Sequence, residues 1–183
     1  MGVDVRLTCD PVAALSADGL VVPGVGAFAA CMDQLETVDG PRIIRERIRL
    51  NKPILGICVG HQVMFSVGVE HGIHRDGVGI FPGVIRRLES NRLPHMGWNE
   101  VSADEKSRFF EGVHRFYFVH SYGALVAQDL PSEAVGMWTE HDGNRFIAAV
   151  ECGPILSTQF HPEKSGAAGM ALLRRWVDAL EVR

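Results

Sequence analysis

The chain has 183 residues, 46% hydrophobic and 22% charged, enough for one compact core and unlike an intrinsically disordered segment. Its net charge of −4 comes without any long run of Lys or Arg, so no nucleic-acid partner is expected. The longest apolar runs fall far below the ~18 residues of a membrane-spanning helix, so no membrane association is expected either.

In chain order, residues 3–8 alternate like a short strand, and residues 19–22 form a brief apolar run that ends at Pro23, the pattern of a buried strand. Residues 27–50 are helical in composition, with a break at Asp39-Gly40-Pro41. A second buried strand is predicted over 53–57 and a helix over 62–69, stopped near His71-Gly72. Strand, helix, strand, helix implies right-handed crossovers and a parallel sheet. The second half changes character. Residues 78–89, 94–101, 116–122, 134–139 and 146–151 are short strand-like runs separated by Gly, Asn, Asp and Pro, as in hairpins laid against that sheet. Residues 155–160 read as one more strand. Residues 166–180 read as an amphipathic helix with Met170, Leu173, Val177 and Leu180 on its apolar face. The expected fold is an α/β single domain over 1–183: a three-layer open mixed sheet, largely parallel, with helices on both faces and added antiparallel hairpins.

The cysteines are Cys9, Cys31, Cys58 and Cys152, and no pair has the spacing of a zinc or redox motif. Free thiols suit a reducing compartment, so a cytoplasmic location is expected. Asp4, Arg6 and Asp10 interrupt the N-terminus, which therefore has no secretory apolar region. Cys9, Cys31 and Cys152 read as small core side chains, His71, His74, His114 and His141 as surface or loop residues, and Trp138 and Trp176 as packing residues.

The strongest chemical signal is Gly56-Ile57-Cys58-Val59-Gly60, which follows an apolar run and precedes a helical pattern. This is a nucleophile elbow with Cys in place of Ser. The flanking glycines permit a sharp turn that exposes the sulfur, and a helix N-terminus and a nearby imidazolium would favour the thiolate that attacks a carboxamide carbon. A buried structural cysteine after a strand is the competing reading. His161 stands at the carboxyl end of a predicted strand, as Cys58 does, and in open sheets ligands bind outside those ends. Glu163, beyond Pro162, could accept the imidazole N–H and fix its tautomer. Pro23-Gly24-Val25-Gly26 lies at another strand end. A backbone N–H there, with that of Val59, could hold an oxyanion. A tight turn or a phosphate loop is the rival, although no Walker lysine or dinucleotide fingerprint follows.

These motifs, in this order, resemble the class I (triad) glutamine amidotransferases. Residues 23–28 (PGVGAF), 94–99 (PHMGWN), 117–122 (YFVHSY) and 158–165 (TQFHPEKS) are similar to one branch, the glutaminase subunits of imidazole glycerol phosphate synthases, and the similarity runs from about Val3 to the C-terminus. The resemblance implies a flavodoxin-like fold. It implies Cys58 as nucleophile, His161 as general base and then acid, and Glu163 as its orienter. It places Gln62, Ser121 and Tyr122 against the substrate glutamine, and Gly24, Val25 and Gly26 in the oxyanion strand. Trp98 and Lys164 become the expected partner face. No metal or organic cofactor is implied. The implied partner is a (β/α)₈-barrel cyclase subunit that receives ammonia from a γ-glutamyl thioester on Cys58, forming a heterodimer in histidine biosynthesis. Two features depart from the pattern. Gly60-His61-Gln62 is more familiar in amidotransferases of anthranilate or aminodeoxychorismate synthesis, which leaves a sister pathway as an alternative. The start at Met1 aligns with the family's second strand, so the first strand and helix, roughly 20–25 residues at typical lengths, are expected to be missing. A shortened chain could also be an inactive docking subunit. A cysteine peptidase or γ-glutamyl hydrolase is the other enzymatic alternative.

Overall fold

The computed structural model describes residues 2–102, 104–125 and 130–181. Met1 lies outside the described residues. A short helix, α1 (Pro11–Ser16), leads into strand β1 (Leu20–Gly24). The Oδ1 of Asp10 accepts from the Val12 N–H at 2.9 Å, which caps α1. Helices α2 (Phe28–Thr37) and α3 (Gly40–Arg49) follow, divided at Asp39 as the Asp-Gly-Pro break predicts. Strand β2 (Ile54–Cys58) runs into the four-residue helix α4 (Val59–Gln62). Strands β3 (Phe65–Glu70), β4 (Ile73–Asp76), β5 (Phe81–Arg87), β6 (His95–Ser102), β7 (Val113–His120), β8 (Tyr122–Ala124), β9 (Val135–His141), β10 (Asn144–Cys152) and β11 (Ile155–Thr158) come next, and α5 (Gly166–Glu181) closes the series.

Two sheets organise these elements. One has seven strands in the order β1-β2-β11-β10-β9-β6-β7, the other four in the order β4-β3-β5-β8. In the larger sheet β2 pairs in parallel with β1 and with β11, while β10, β9, β6 and β7 pair antiparallel. The expectation of a largely parallel sheet is therefore corrected: only its β1-β2-β11 part is parallel. The tight turns at Asp142-Gly143 and Gly153-Pro154 leave no room for a crossover helix and can join only antiparallel neighbours.

The predicted helix over 62–69 is also corrected. The helix stops at Gln62, and Phe65, Val67 and Val69 continue as β3, between β4 and β5. Gly68 lets the Phe28 ring lie directly on β3, since a Cβ there would meet that ring at 2.3 Å. Residues 3–8 form no strand. Their alternation gives sidedness, but among the described residues no strand pairs with them, and Val5 and Leu7 are exposed. On α5 the buried stripe is Leu172, Trp176 and Val177, whereas Met170 faces outward, so the predicted apolar face is rotated. Cys9 is exposed and so is no core residue, whereas Cys31 and Cys152 are half-buried and pack against the edge of one core cluster.

Packing follows the period of two along β2. Ile54 joins a cluster with Val22, Phe28, Met32, Phe65 and Phe81, and Leu55 joins the opposite one with Phe116, Phe118, Phe160 and Trp176. Phe116 and Phe160 stack at 4.0 Å between centroids. Burying each such side chain contributes roughly 1.5–3 kcal/mol. The two clusters fix β2 and β11 from both faces, and the carboxyl ends of these strands carry the candidate site. No described helix is long and apolar enough to cross a membrane.

Candidate active site

Cys58 is the last residue of β2 and takes φ 56°, ψ −113°, a conformation that costs strain for any L-residue. The glycines around it are explained by close approach. A Cβ on Gly60 would lie 1.8 Å from the Val22 carbonyl oxygen, and one on Gly56 would lie 2.8 Å from that of Gly60. The elbow does not expose the sulfur as expected, for Cys58 is buried. Burial pushes its thiol up to about 11, the Val59 N–H and Lys164 pull it down, and the Glu163 carboxylate and Cys31 add to the rise. The helix that follows has only four residues, too short to supply the expected dipole. Burial thus favours the thiol form of Cys58 over the thiolate.

Strand β11 lies beside β2 in parallel, with Thr158 opposite Ile57. This register brings the segment that follows β11 next to the elbow. The Gln159 Nε2 lies 3.9 Å from the Cys58 Sγ as a donor. His161 Nδ1 donates to Glu163 Oε1 at 2.7 Å, and His161 Nε2 is buried with no hydrogen-bond partner among the described residues. The backbone around it is well tied. The His161 N–H donates to the Tyr117 carbonyl, and the Ser165 hydroxyl donates to the His161 carbonyl. Pro162 opens the single 3₁₀ turn that carries Glu163 and Lys164.

Gly24 is the register partner of Cys58 across β1 and β2. The loop Gly24, Val25, Gly26 thus leaves the sheet beside the elbow, with Val25 exposed and Gly26 at φ 93°. A Cβ on Gly24 would meet the Gly60 nitrogen and the Val59 Cβ at 2.8 Å. The Cys31 thiol donates to the Val25 carbonyl at 3.2 Å, and Glu70 Oε2 accepts from the Phe28 N–H at 2.8 Å, so the loop is held where α2 begins.

Gln62 is buried and donates from Nε2 to the Tyr122 carbonyl and to Gln159 Oε1, each at 2.8 Å. Tyr122 is thereby joined to the site through its backbone. The carbonyl of Ser121 accepts from the Leu88 N–H instead. Trp98 and Lys164 are exposed, and Trp98 contacts the Tyr117 ring edge-on. His61 is fully buried, bonded through Nδ1 to the Ser157 hydroxyl at 2.9 Å, and burial pulls it down to about 3. Its place in Gly60-His61-Gln62 is thus accounted for by packing against β11. No cluster of His, Cys, Asp or Glu among the described residues could hold a metal ion.

The sequence profile of the family described as Glutamine amidotransferase class-I matches residues 5–179. The chain belongs to this family. Among the relatives of this amidotransferase, the imidazole glycerol phosphate synthase subunit HisH of Nocardia farcinica is 56% identical over 186 residues, covering 98% of this chain and 88% of the relative. The subunit of the same name from Corynebacterium diphtheriae is 50% identical, covering 98% and 89%. That of Mycobacterium tuberculosis is 51% identical, covering 98% and 88%. Among solved structures, a glutamine amidotransferase superposes with TM-score 0.73 at 15% identity, covering 98% of this chain and 88% of the other. The glutaminase domain of Trypanosoma brucei CTPS with bound acivicin superposes with TM-score 0.55 at 17% identity, covering 92% and 74%. These two likenesses concern the fold.

The amidotransferase also has contacts at this site that sequence reasoning missed. Gln159 lies two residues before His161, in the bend that follows β11. That signal was present but was absorbed into an apolar run. Cys31 and Glu70 carried no signal, since only the folded chain brings α2 and β3 together.

Proposed function

We infer that the chain is the glutaminase subunit of an imidazole glycerol phosphate synthase and hydrolyses glutamine in histidine biosynthesis. The observation that carries the chemistry is the strained Cys58 at the end of β2, beside a β11 end that presents a His161–Glu163 pair. The 50–56% identity to relatives named as that synthase subunit carries the pathway.

In this reading the Cys58 Sγ attacks the γ-carboxamide carbon of glutamine as its proton passes to His161 Nε2. The oxyanion is held by the Val59 N–H and by a backbone N–H of the Gly24-Val25-Gly26 loop. His161 gives the proton to the departing nitrogen, and ammonia leaves a γ-glutamyl thioester. Water then loses a proton to His161 and attacks the thioester carbon. The Cys58 sulfur leaves and recovers the proton, and glutamate is released. Glu163 holds the proton on Nδ1 throughout. Gln62 and the Ser121-Tyr122 segment bind the glutamine backbone groups.

Ammonia passes to a (β/α)₈-barrel cyclase subunit, the partner in a heterodimer that works in the cytoplasm. The partner face includes Trp98 and Lys164. Trp98 is 47% exposed and its neighbour on β6, Met96, is 62% exposed, while Lys164 adjoins Glu163. A buried thiol at rest suits an enzyme that wastes no glutamine when alone. The test is a glutaminase assay on the chain with and without the cyclase subunit and its ribonucleotide substrate. Slow turnover alone and a large rise in the loaded complex are expected. Equal turnover would sink the coupling, and no labelling of Cys58 by a glutamine-like chloroketone would leave only a docking subunit.

A further inference from the structure

At Ser121 the chain passes from β7 of the seven-stranded sheet to β8 of the four-stranded one. The residues on either side of this crossing meet at one carbonyl. The Tyr122 carbonyl oxygen lies 2.8 Å from Gln62 Nε2 and 2.9 Å from His120 Nδ1. A carbonyl can only accept, so two assignments are forced. The Gln62 atom facing it is the amide nitrogen, and His120 carries its proton on Nδ1.

The consequences run outward in both directions. A neutral His120 with hydrogen on Nδ1 presents a lone pair at Nε2. His95 Nδ1, opposite it across β6 and β7 at 3.1 Å, must donate to that lone pair. The His95 ring is clamped between Phe118 at 5.0 Å and His141 at 4.0 Å. Burial keeps both rings neutral, His95 at about 4 and His120 at about 3. In the other direction, Gln62 spends both amide hydrogens, on Tyr122 and on Gln159 Oε1. A flipped carboxamide would set oxygen against oxygen at both contacts. Gln62 Oε1 has no partner among the described residues, so its acceptor is held in reserve.

We propose that His120 is a positioning residue for glutamine binding: it anchors the Tyr122 carbonyl, with its tautomer enforced by His95, and thereby fixes the Gln62 carboxamide so that Oε1 can accept from an N–H of the bound amino acid. This rests on the reading above that Gln62 touches glutamine. It also leaves His120 unable to serve as a base, because both of its ring nitrogens are committed.

The test compares wild type, His120→Asn and His120→Gln in glutamine hydrolysis by the assembled complex. Asn places a donor where Nδ1 stands, whereas Gln places one where Nε2 stands. The Gln variant is expected to raise KM for glutamine about tenfold with kcat within about threefold, the scale of one misdirected hydrogen bond, and the Asn variant to stay near wild type. An unchanged KM in the Gln variant, or an equal fall of kcat in both variants, overturns the proposal. A wild type without any glutaminase activity overturns the functional reading itself, and the proposal with it. Nitrogen-15 NMR of the wild-type imidazoles checks the geometry without any variant. Neutral rings protonated on Nδ1 are expected for His120 and His95, and an Nε2–H on His120 overturns the proposal.

Discussion

His161 donates from Nδ1 to Glu163 Oε1 at 2.7 Å, which assigns the ring proton and leaves Nε2 as the basic nitrogen. Because Glu163 is 47% exposed in its side chain, it acts more by orienting the ring than by charge. Glu163→Gln keeps an acceptor oxygen and should lower glutaminase kcat by about ten- to hundredfold, whereas His161→Asn should cost about as much as Cys58→Ala, on the order of 10⁴ or more. Steady-state kinetics on the complex checks the order. Equal and mild losses in the two triad-partner variants would point to another base.

The buried Cys58 thiol sets the pH profile of alkylation. Burial raises it to about 11, so the reactive thiolate is scarce at neutral pH and grows as pH rises. Iodoacetamide labelling of Cys58 in the chain alone, read by peptide mapping apart from the exposed Cys9, should be slow at pH 7 and still accelerating above pH 9. A plateau reached near pH 7 would mean that a resting thiolate–imidazolium pair exists.

Much of this site was legible before folding, and the reasons are local. Cys58 sits between glycines after an apolar run, and His161 sits between an apolar run and a proline. Both strand ends could be read without knowing which strands pair. That β2 and β11 are neighbours could not be read, because about a hundred residues separate them and only the sheet order joins them. Residues 62–69 were misread because Val63, Met64, Phe65, Val67 and Val69 satisfy a helical stripe and a strand equally well. The Tyr122–Gln62–Gln159 chain of amides was invisible, since it joins a backbone carbonyl and a side-chain amide from distant elements.

Burial of histidines should make the fold acid-sensitive. His61, His95 and His120 are all pulled below 6.5, to about 3, about 4 and about 3. The folded state thus binds fewer protons than the unfolded chain. The stability this confers is complete above pH 6.5 and is lost as pH falls towards the folded values. Between pH 6.5 and 5 each histidine should cost on the order of 1–2 kcal/mol. Urea midpoints measured across that range should drop steeply, and His61→Gln should soften the slope by close to one proton.

Arg47 is a structural cation held by backbone carbonyls, with no ion pair among the described residues. Its buried guanidinium donates to the carbonyls of Ala14, Ala17, Asp18 and Pro53 at 2.8–3.1 Å, tying α1 to α3 and to the start of β2. Arg47→Leu would strand these acceptors at ~1–3 kcal/mol each, partly relieved by water, so a loss on the order of 3–5 kcal/mol is expected. Lys52, which donates to the Leu15 carbonyl, should cost about 1 kcal/mol as Lys52→Ala. Denaturant unfolding of the two variants distinguishes a clasp from a passive buried residue.

The two glycines of the 24–26 loop should differ sharply when each is replaced by alanine. Gly24 has no room, for its added Cβ would press at 2.8 Å on the Gly60 nitrogen and on Val59, the residue whose N–H we propose as an oxyanion donor. Relief would have to displace the elbow itself. Gly26 has open space around an added Cβ, but its φ of 93° charges alanine about 1–2 kcal/mol for a left-handed conformation. Gly24→Ala should therefore lose glutaminase kcat by ~10² or more, the scale of one lost oxyanion donor. Gly26→Ala should keep kcat within about tenfold while lowering stability by about 1–2 kcal/mol. Kinetics and melting of both variants separate the effects. If Gly24→Ala kept full activity, the Val59 N–H would not be an oxyanion donor, and the hole would have to be built from the loop alone.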